Sequence, residues 1–237
     1  PELSGRLFSD LNADEISVIG VSTRPRAVEG SYMPCFTVGY AQAKLLSDVL
    51  HKPLFSFSHQ QGHVAASLWS SGRMDLMDAP HLAWHLSGGT TELLLVKPEN
   101  KSVKCTKIGG TTDISAGQLI DRTGQLLSLP FPAGKHIDAL SREACRDDVF
   151  RVKCSDLGFS LSGVQNKVQN HFENCKDPGE TAAFCLRCIC YAVHKTTVDA
   201  MKAYPGLPVV FSGGVSSNSH LNKRMSEKYG AVFAKPA

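Results

Sequence analysis

Apolar residues fall into two rhythms along this chain. Short, nearly continuous runs bounded by Gly, Ser, Thr or Pro read as strands, and residues spaced three and four apart read as helices. Residues 17–22 form a first short β-type run, followed by a loop at 23–33 that holds Arg24, Pro25, Arg26 and Gly30. Helical spacing runs over 38–50 through Ala41, Leu45, Leu46, Val49 and Leu50, and Pro53 stops it before a strand at 54–57. Ser58 then stands as the N-cap of a helix whose apolar pattern begins at Val64. Residues 83–96 hold two apolar runs joined by Ser87-Gly88-Gly89-Thr90-Thr91, a hairpin pattern, and 103–110 adds a third antiparallel strand. Asp113 is the expected N-cap of the next helix, with Ile114, Ile120, Leu126 and Leu127 on its apolar side. A turn rich in Pro and Gly at 129–135 leads to helices at 137–145, after Phe159-Ser160-Leu161-Ser162-Gly163, and over 181–204. Val209-Val210-Phe211-Ser212 runs into Gly213-Gly214, a helix starts at Asn218, and a last strand covers 231–234.

From residue 83 onward this order is βββαβαβ with a helical insertion at about 111–175, the half-unit of an α/β fold of the actin-like ATPase (RNase H-like) type. Two lobes are therefore expected, with 1–82 the remainder of the first and 83–237 the second. The chain opens on Pro1-Glu2-Leu3-Ser4, which reads as a helix end, and stops on a strand end at Ala237, so it reads as a segment lacking both termini.

Composition narrows the setting. With 42% apolar and 20% charged residues and a net charge of +3, the chain is ordinary for a globular protein, and nucleic acid is neither required nor excluded. No apolar run approaches the roughly 20 residues of a membrane span, and no signal peptide is present, so a cytoplasmic protein without membrane contact is expected. The eight cysteines are scattered, as free thiols in a reducing compartment would be. Cys185, Cys188 and Cys190 fall on the expected long helix without a partner pair, which favours packing over zinc.

Candidate chemistry sits in two places. Ser87-Gly88-Gly89 and Ser212-Gly213-Gly214 each follow an apolar strand, and turns of small residues leave backbone N–H groups uncovered for a phosphate. Two such turns point to a nucleotide held between them, although glycines serving turn geometry alone remain the other reading for the first. His59 and His63 stand four apart in the first turns of a helix, where two imidazoles can chelate one divalent metal, zinc or iron, given a further ligand. The zincin pattern is not met, because Gln60 stands where its Glu belongs. His81 and His85 share the spacing but lie on a strand pattern, as packing or site-lining residues. Asp121 falls in mid-helix.

These residues resemble a known family, the tRNA threonylcarbamoyladenosine synthase subunit (TsaD), long called the glycoprotease or O-sialoglycoprotein endopeptidase family, which has the actin-like fold. The likeness runs from about Ser17 to the last residue, with separated motifs in order. Ser58-His59-Gln60-Gln61-Gly62-His63 resembles the family's metal motif, and His85-Leu86-Ser87-Gly88-Gly89-Thr90-Thr91-Glu92 its nucleotide and substrate loop. Residues 113–121 resemble Asp-x-x-Ala-Gly-Glu-x-x-Asp, Gly134 a glycine of Tyr-Pro-Gly-Gly, residues 159–163 Phe-Ser-Phe-Ser-Gly, and residues 213–218 Gly-Gly-Val-Ala-Ala-Asn.

The resemblance implies transfer of threonylcarbamoyl from its adenylate to an adenine amine of tRNA. It implies iron or zinc on His59 and His63, with a third ligand outside this segment. It implies an adenine nucleotide or threonylcarbamoyl-adenylate on His85, Leu86, Ser87, Gly88, Gly89, Asp121, Gly134 and Asn218. Partners would be tRNA and the protein subunits of a threonylcarbamoyladenosine complex. The chain departs from the pattern at Thr90 (for His), Gln118 (for Glu) and Ala133 (for Gly), which marks a divergent paralogue and keeps a catalytically altered, nucleotide-binding partner or regulator as the alternative. A metalloprotease, as the old name has it, fits poorly: the metal helix lacks its Glu, and no Ser–His–Asp or Cys–His set is recognisable.

Overall fold

The computed structural model describes Gly5, Ser9 and residues 12–234, so the helix end expected at residues 1–4 and the strand end expected at Ala237 lie outside the described residues. The chain forms two compact units, Pro1–His63 and Val64–Ala237.

In the first unit, β1 (Ile19–Arg24) pairs in parallel with β2 (Leu54–Ser58), and α1 (Pro34–Leu50) connects them. The helix begins four residues before the periodic apolar pattern because Pro34 occupies its first turn, where a fixed φ and a missing N–H cost nothing. It ends at His51 in the left-handed region (φ 52°), just ahead of Pro53. The next helix, α2 (His59–Ser70), follows β2 directly. As expected, Ser58 caps it: Ser58 Oγ accepts from Gln61 N at 3.2 Å, while Gln61 Oε1 accepts from Ser58 N at 2.8 Å.

The second unit is built on one mixed sheet. Its strands are β3 (His81–Leu86), β4 (Thr91–Glu99), β5 (Ser102–Thr111), β6 (Cys154–Ser155), β7 (Gly158–Phe159), β8 (Val209–Ser212) and β9 (Val232–Phe233), in the spatial order β6-β7-β5-β4-β3-β8-β9. β3, β4 and β5 are antiparallel neighbours, whereas β8 joins β3, and β9 joins β8, in parallel. Alternation along β3 and β4 sends Leu82, Trp84, Leu86, Leu93 and Leu95 to one face and Ala83, Leu94 and Val96 to the other. Both faces are covered, so these strands read as continuous apolar runs rather than alternating ones. Val64 and Leu68 of α2 cover the second face, with Leu76.

The first face carries α3 (Ala116–Leu126), α4 (Gly134–Ser141), α5 (Ser162–Cys175) and the long α6 (Pro178–Ala203), and α7 (Ser219–Tyr229) connects β8 to β9. Trp84 is fully enclosed there, its indole N–H donating to Thr197 Oγ1 of α6 at 2.9 Å, whereas Trp69 on α2 is 76% exposed. α6 starts at the N-cap Asp177 followed by Pro178 and buries Cys185, Cys188 and Cys190. Burial pushes these thiols up to about 12, 12 and 11, so they are neutral packing groups, and every described cysteine is unpaired.

The starts of α3 and α4 also differ from expectation. Ser115, not Asp113, caps α3, and α4 covers Gly134–Ser141 instead of starting at 137.

Candidate functional site

The parallel pair β3–β8 sets the site. In register His85 lies opposite Ser212, so both strands release their Ser-Gly-Gly turns at the same carboxyl edge of the sheet. Crevices beyond the carboxyl ends of strands are where open α/β sheets receive ligands. Gly213 has φ +91°, and a Cβ there would sit 2.2 Å from the Leu86 carbonyl oxygen, so only glycine lets the two turns come this close. His85 ties them laterally. Ser212 Oγ gives its proton to the Trp84 carbonyl (3.0 Å), so the 3.2 Å contact from His85 Nδ1 is a ring N–H donating to that oxygen.

The first turn is closed by Ser87: its N–H donates to the Thr90 carbonyl at 2.8 Å, and its Oγ accepts from Thr90 N at 3.1 Å. Among the described residues, the Gly88 and Gly89 N–H groups take part in no hydrogen bond. Helix α3 is pressed against this turn. Ser115 Oγ donates to the Gly88 carbonyl at 2.6 Å, and a Cβ on Gly117 would lie 2.4 Å from Gly88 Cα.

One cavity of about 510 Å³ opens at this edge, lined by Gly88, Asp121, Gly134 and Asn218, four positions the sequence had singled out. Asp121 reaches across from mid-α3, and its Oδ1 accepts the Ala133 N–H at 2.9 Å. Asn218 caps α7 through Oδ1, which accepts from His220 N and Leu221 N, and its Nδ2 donates to Asp138 Oδ1 at 2.8 Å. A Cβ on Gly134 would meet nothing within 4 Å, so this glycine borders open space. Leu86 is fully buried and supports the turn from beneath. Leu86, His85, Ser87 and Gly89 are not among the cavity's lining residues.

Sequence reading missed Asp138. Its Oδ1 collects Asn218 Nδ2, Ser219 N and Ser219 Oγ, and Arg142 donates to Oδ2 at 2.8 Å. Burial pushes its carboxyl up, but these hydrogen bonds outweigh burial and hold it below the usual carboxylate range. The only available signal was its place one turn after Gly134. Lys135 and His136, from the same turn, also line the cavity.

Asp113 turns out to serve a distant helix. Its carboxylate accepts from Leu161 N at 2.8 Å, from Ser162 N, and from the hydroxyls of Ser160 and Ser162. It thus caps α5 across 48 residues of sequence.

In the first unit, the Nε2 atoms of His59 and His63 face one another at 2.9 Å. Two nitrogens bound to one ion at about 2.1 Å lie about this far apart, and an imidazole pair suits iron or zinc. Partial burial, then the neighbouring His59, lowers the pKa of His63, which favours the neutral, ligating form. Among the described residues no group of three or more His, Cys, Asp or Glu is placed to hold a metal ion. His81 is buried, donates from Nδ1 to the Ala79 carbonyl at 3.1 Å, and is held neutral by burial, as a packing residue.

A Cys–His–Asp set does exist, contrary to the sequence reading. Cys175 Sγ lies 3.4 Å from His171 Nδ1, and His171 Nε2 lies 2.8 Å from Asp148 Oδ2. The i, i+4 spacing on α5 was visible, but Asp148 is distant in sequence. Arg187 also holds Asp148, and none of the three residues lines the cavity, so the set clamps α5 to α6.

A family model described as "TsaD: tRNA N6-adenosine threonylcarbamoyltransferase" matches residues 7–237. Curated proteins of that name are similar. The one from Lactococcus lactis subsp. cremoris (strain SK11) is 31% identical over 233 residues, covering 92% of this chain and 64% of that protein. The one from Streptococcus suis (strain 05ZYH33) is 29% identical over 231 residues, 93% of this chain and 65% of that protein. The chain thus spans about 65% of the length of such relatives. Among solved structures, T.kodakarensis HypF superposes with a TM-score of 0.68 at 12% identity, over 98% of this chain and 39% of that one. A full-length HypF in its phosphate- and nucleotide-bound form gives 0.63 at 11%, over 92% and 52%. At such identities the likeness is one of fold, the actin-like ATPase fold.

Proposed function

The chain belongs to the tRNA N6-adenosine threonylcarbamoyltransferase (TsaD) family, and from that membership we propose that it binds an adenine nucleotide or threonylcarbamoyl-adenylate and transfers the threonylcarbamoyl group to an adenine amine of tRNA. The observation that carries this reading is the single cavity lined by Gly88, Asp121, Gly134 and Asn218, brought together from four separated stretches of sequence. Gly88 and Gly89 N–H groups would donate to phosphate or carbamate oxygens, as fixed dipoles aimed at developing negative charge. The Oδ2 atom of Asp121, whose Oδ1 is taken by Ala133, would accept a ribose hydroxyl. Asn218 keeps one Nδ2 hydrogen for the base or the sugar, its orientation set by Asp138. The adenine amine is a poor nucleophile, so holding both reactants supplies much of the acceleration.

His59 and His63 would hold iron or zinc, which would supply Lewis acidity toward a carbonyl or hydroxyl of the threonylcarbamoyl group. In this reading the setting is the cytoplasm, with tRNA and the subunits of a threonylcarbamoyladenosine complex as partners. No helix among the described residues is long and apolar enough to cross a membrane. Of the departures that pointed to a non-catalytic relative, Gln118 completes the capping box of α3 as a Glu would, and it does not line the cavity. Thr90 closes its turn through backbone groups that any residue supplies.

The test is to supply the protein with partner subunits, tRNA and a labelled threonylcarbamoyl donor. Labelled tRNA is expected, together with adenine-nucleotide affinity that falls at least tenfold in Asp121→Ala. No labelling, under conditions where a family member labels tRNA, would sink the transferase reading, and unchanged nucleotide affinity would move the nucleotide elsewhere.

A further inference from the structure

A second cavity, of about 570 Å³, opens between α6, α7 and residues 147–151, and it shares no lining residue with the first. Arg151, Arg187, Lys223, Arg224 and Lys228 line it against Asp147 and Glu227, five positive charges to two negative. Arg187 has Asp148 at 3.3 Å, but among the described residues no carboxylate lies within ion-pair distance of Arg151, Lys223, Arg224 or Lys228. Arg224 and Lys228 stand one helical turn apart, a like-charge spacing that works against α7 and that a bound anion would relieve. The field reaches neighbouring groups: after burial, Arg224 and Lys228 lower the pKa of His194, and they oppose burial at Cys190. The floor is different in character. Half-buried Tyr191 offers a ring beside Val149 and Cys190.

Unpaired cations around an aromatic floor form the surface that receives single-stranded RNA, with phosphates on the cations and a base stacked on the ring. The volume falls in the range of about 300–1,000 Å³ that accommodates a small ligand, and so one unstacked nucleotide. We propose that this cavity binds unpaired RNA, holding a phosphodiester among Arg151, Arg187, Arg224 and Lys228 with a base against Tyr191. Choosing RNA over an acidic protein rests on the transferase reading above. The position fits that choice: His220 lines this cavity and Asn218, two residues earlier, lines the other, so the first turn of α7 borders both.

The experiment measures anisotropy of a fluorescein-labelled 12-nucleotide single-stranded RNA with the intact chain across a series of KCl concentrations. Arg224→Glu/Lys228→Glu is expected to weaken binding at least tenfold and to flatten the log–log salt dependence by about 0.7 per lost phosphate contact. Tyr191→Ala should weaken binding about tenfold while leaving the slope alone. If the charge-reversed pair does not fold, judged by its thermal midpoint, Arg224→Gln/Lys228→Gln carries the same expectation. Affinity and slope unchanged in a folded variant would overturn the proposal. So would polyglutamate competing for the wild-type chain as well as unlabelled RNA does, which would assign the cavity to an acidic protein. ATP affinity at the first cavity should be equal in all variants. Because RNA binding is read without turnover, failure here is distinguishable from failure of the transferase reading.

Discussion

At position 133 the chain carries a methyl where the motif it resembles has glycine, and the room for it comes from α3: a Cβ on Gly124 would lie 2.2 Å from the Ala133 Cβ. Gly124 stands in the last turn of α3, where glycine costs up to about 1 kcal/mol against alanine, and the close approach of Ala133 accounts for it. Gly124→Ala is expected to destabilise the protein by about 1–3 kcal/mol through overpacking, and Ala133→Gly should restore most of that loss in the double variant. Urea unfolding decides it: a Gly124→Ala protein as stable as the parent means the two positions do not interact. Asp113 makes a charge-dependent prediction. Burial pushes its carboxyl up, yet the hydrogen bonds from Ser160, Ser162 and Leu161 win and depress it well below the usual range. A depressed carboxylate stabilises the fold fully above its unfolded value, and that stabilisation is lost as pH falls through the folded value. Because Asp113 is exposed and screened, Asp113→Ala should cost about 1 kcal/mol at pH 7, and the gap to wild type should begin to narrow below about pH 4 and go on closing as pH falls further. A gap that is flat with pH would show that charge plays no part in the cap.

Among the elements, strand pairs and the Ser-Gly-Gly turns were legible because their apolar runs end abruptly in small residues. Helix starts were less so. Thr111, Thr112, Asp113 and Ser115 are all acceptable caps locally, and the choice of Ser115 depends on Asp113 being engaged by residues 160–162, which lie far along the chain. Asp138 escaped for the same reason, since its partners Asn218 and Ser219 come 80 residues later. In α1 the periodic apolar residues are real, but Leu45 and Val49 stay 64% and 65% exposed, and only Ala43 is buried; periodicity marks a face without saying what covers it. The contact between α3 and the first turn gives a sharper test. Gly117→Ala would put a methyl 2.5 Å from the Ser87 carbonyl oxygen, and since both sides are backbone, the turn must move. Nucleotide affinity is expected to fall more than tenfold with at most about 3 kcal/mol lost in stability; intact affinity would mean the turn is not part of the site. For α2, cobalt or zinc titration should show affinity that drops at least tenfold in either His59→Ala or His63→Ala. Since the pKa of His63 is lowered below the ordinary imidazole value of about 6.5, protonation of His63 should compete with uptake only at a lower pH. Equal uptake by the double variant would place the metal elsewhere.

For the whole molecule, family membership, fold class and the order of motifs were readable from residues alone, because each motif is a short local pattern. What could not be read is which side chains share a cavity, since that depends on two parallel strands ending level with each other. The enclosed indole of Trp84 has a use of its own. It lies next to His85 in β3, with Phe211 of β8 stacked 6.5 Å away, and the chain has just one other tryptophan, the exposed Trp69. Emission should therefore resolve into a blue component that acrylamide cannot reach and a red one that it quenches readily, the second removed by Trp69→Phe. In that variant the surviving signal watches the strand that carries the first glycine turn. A nucleotide added at a hundred times its dissociation constant should delay the loss of the blue component by the equivalent of about 2.7 kcal/mol. The protein carries its own optical gauge of occupancy, three residues before the glycine turn where the ligand is expected to bind.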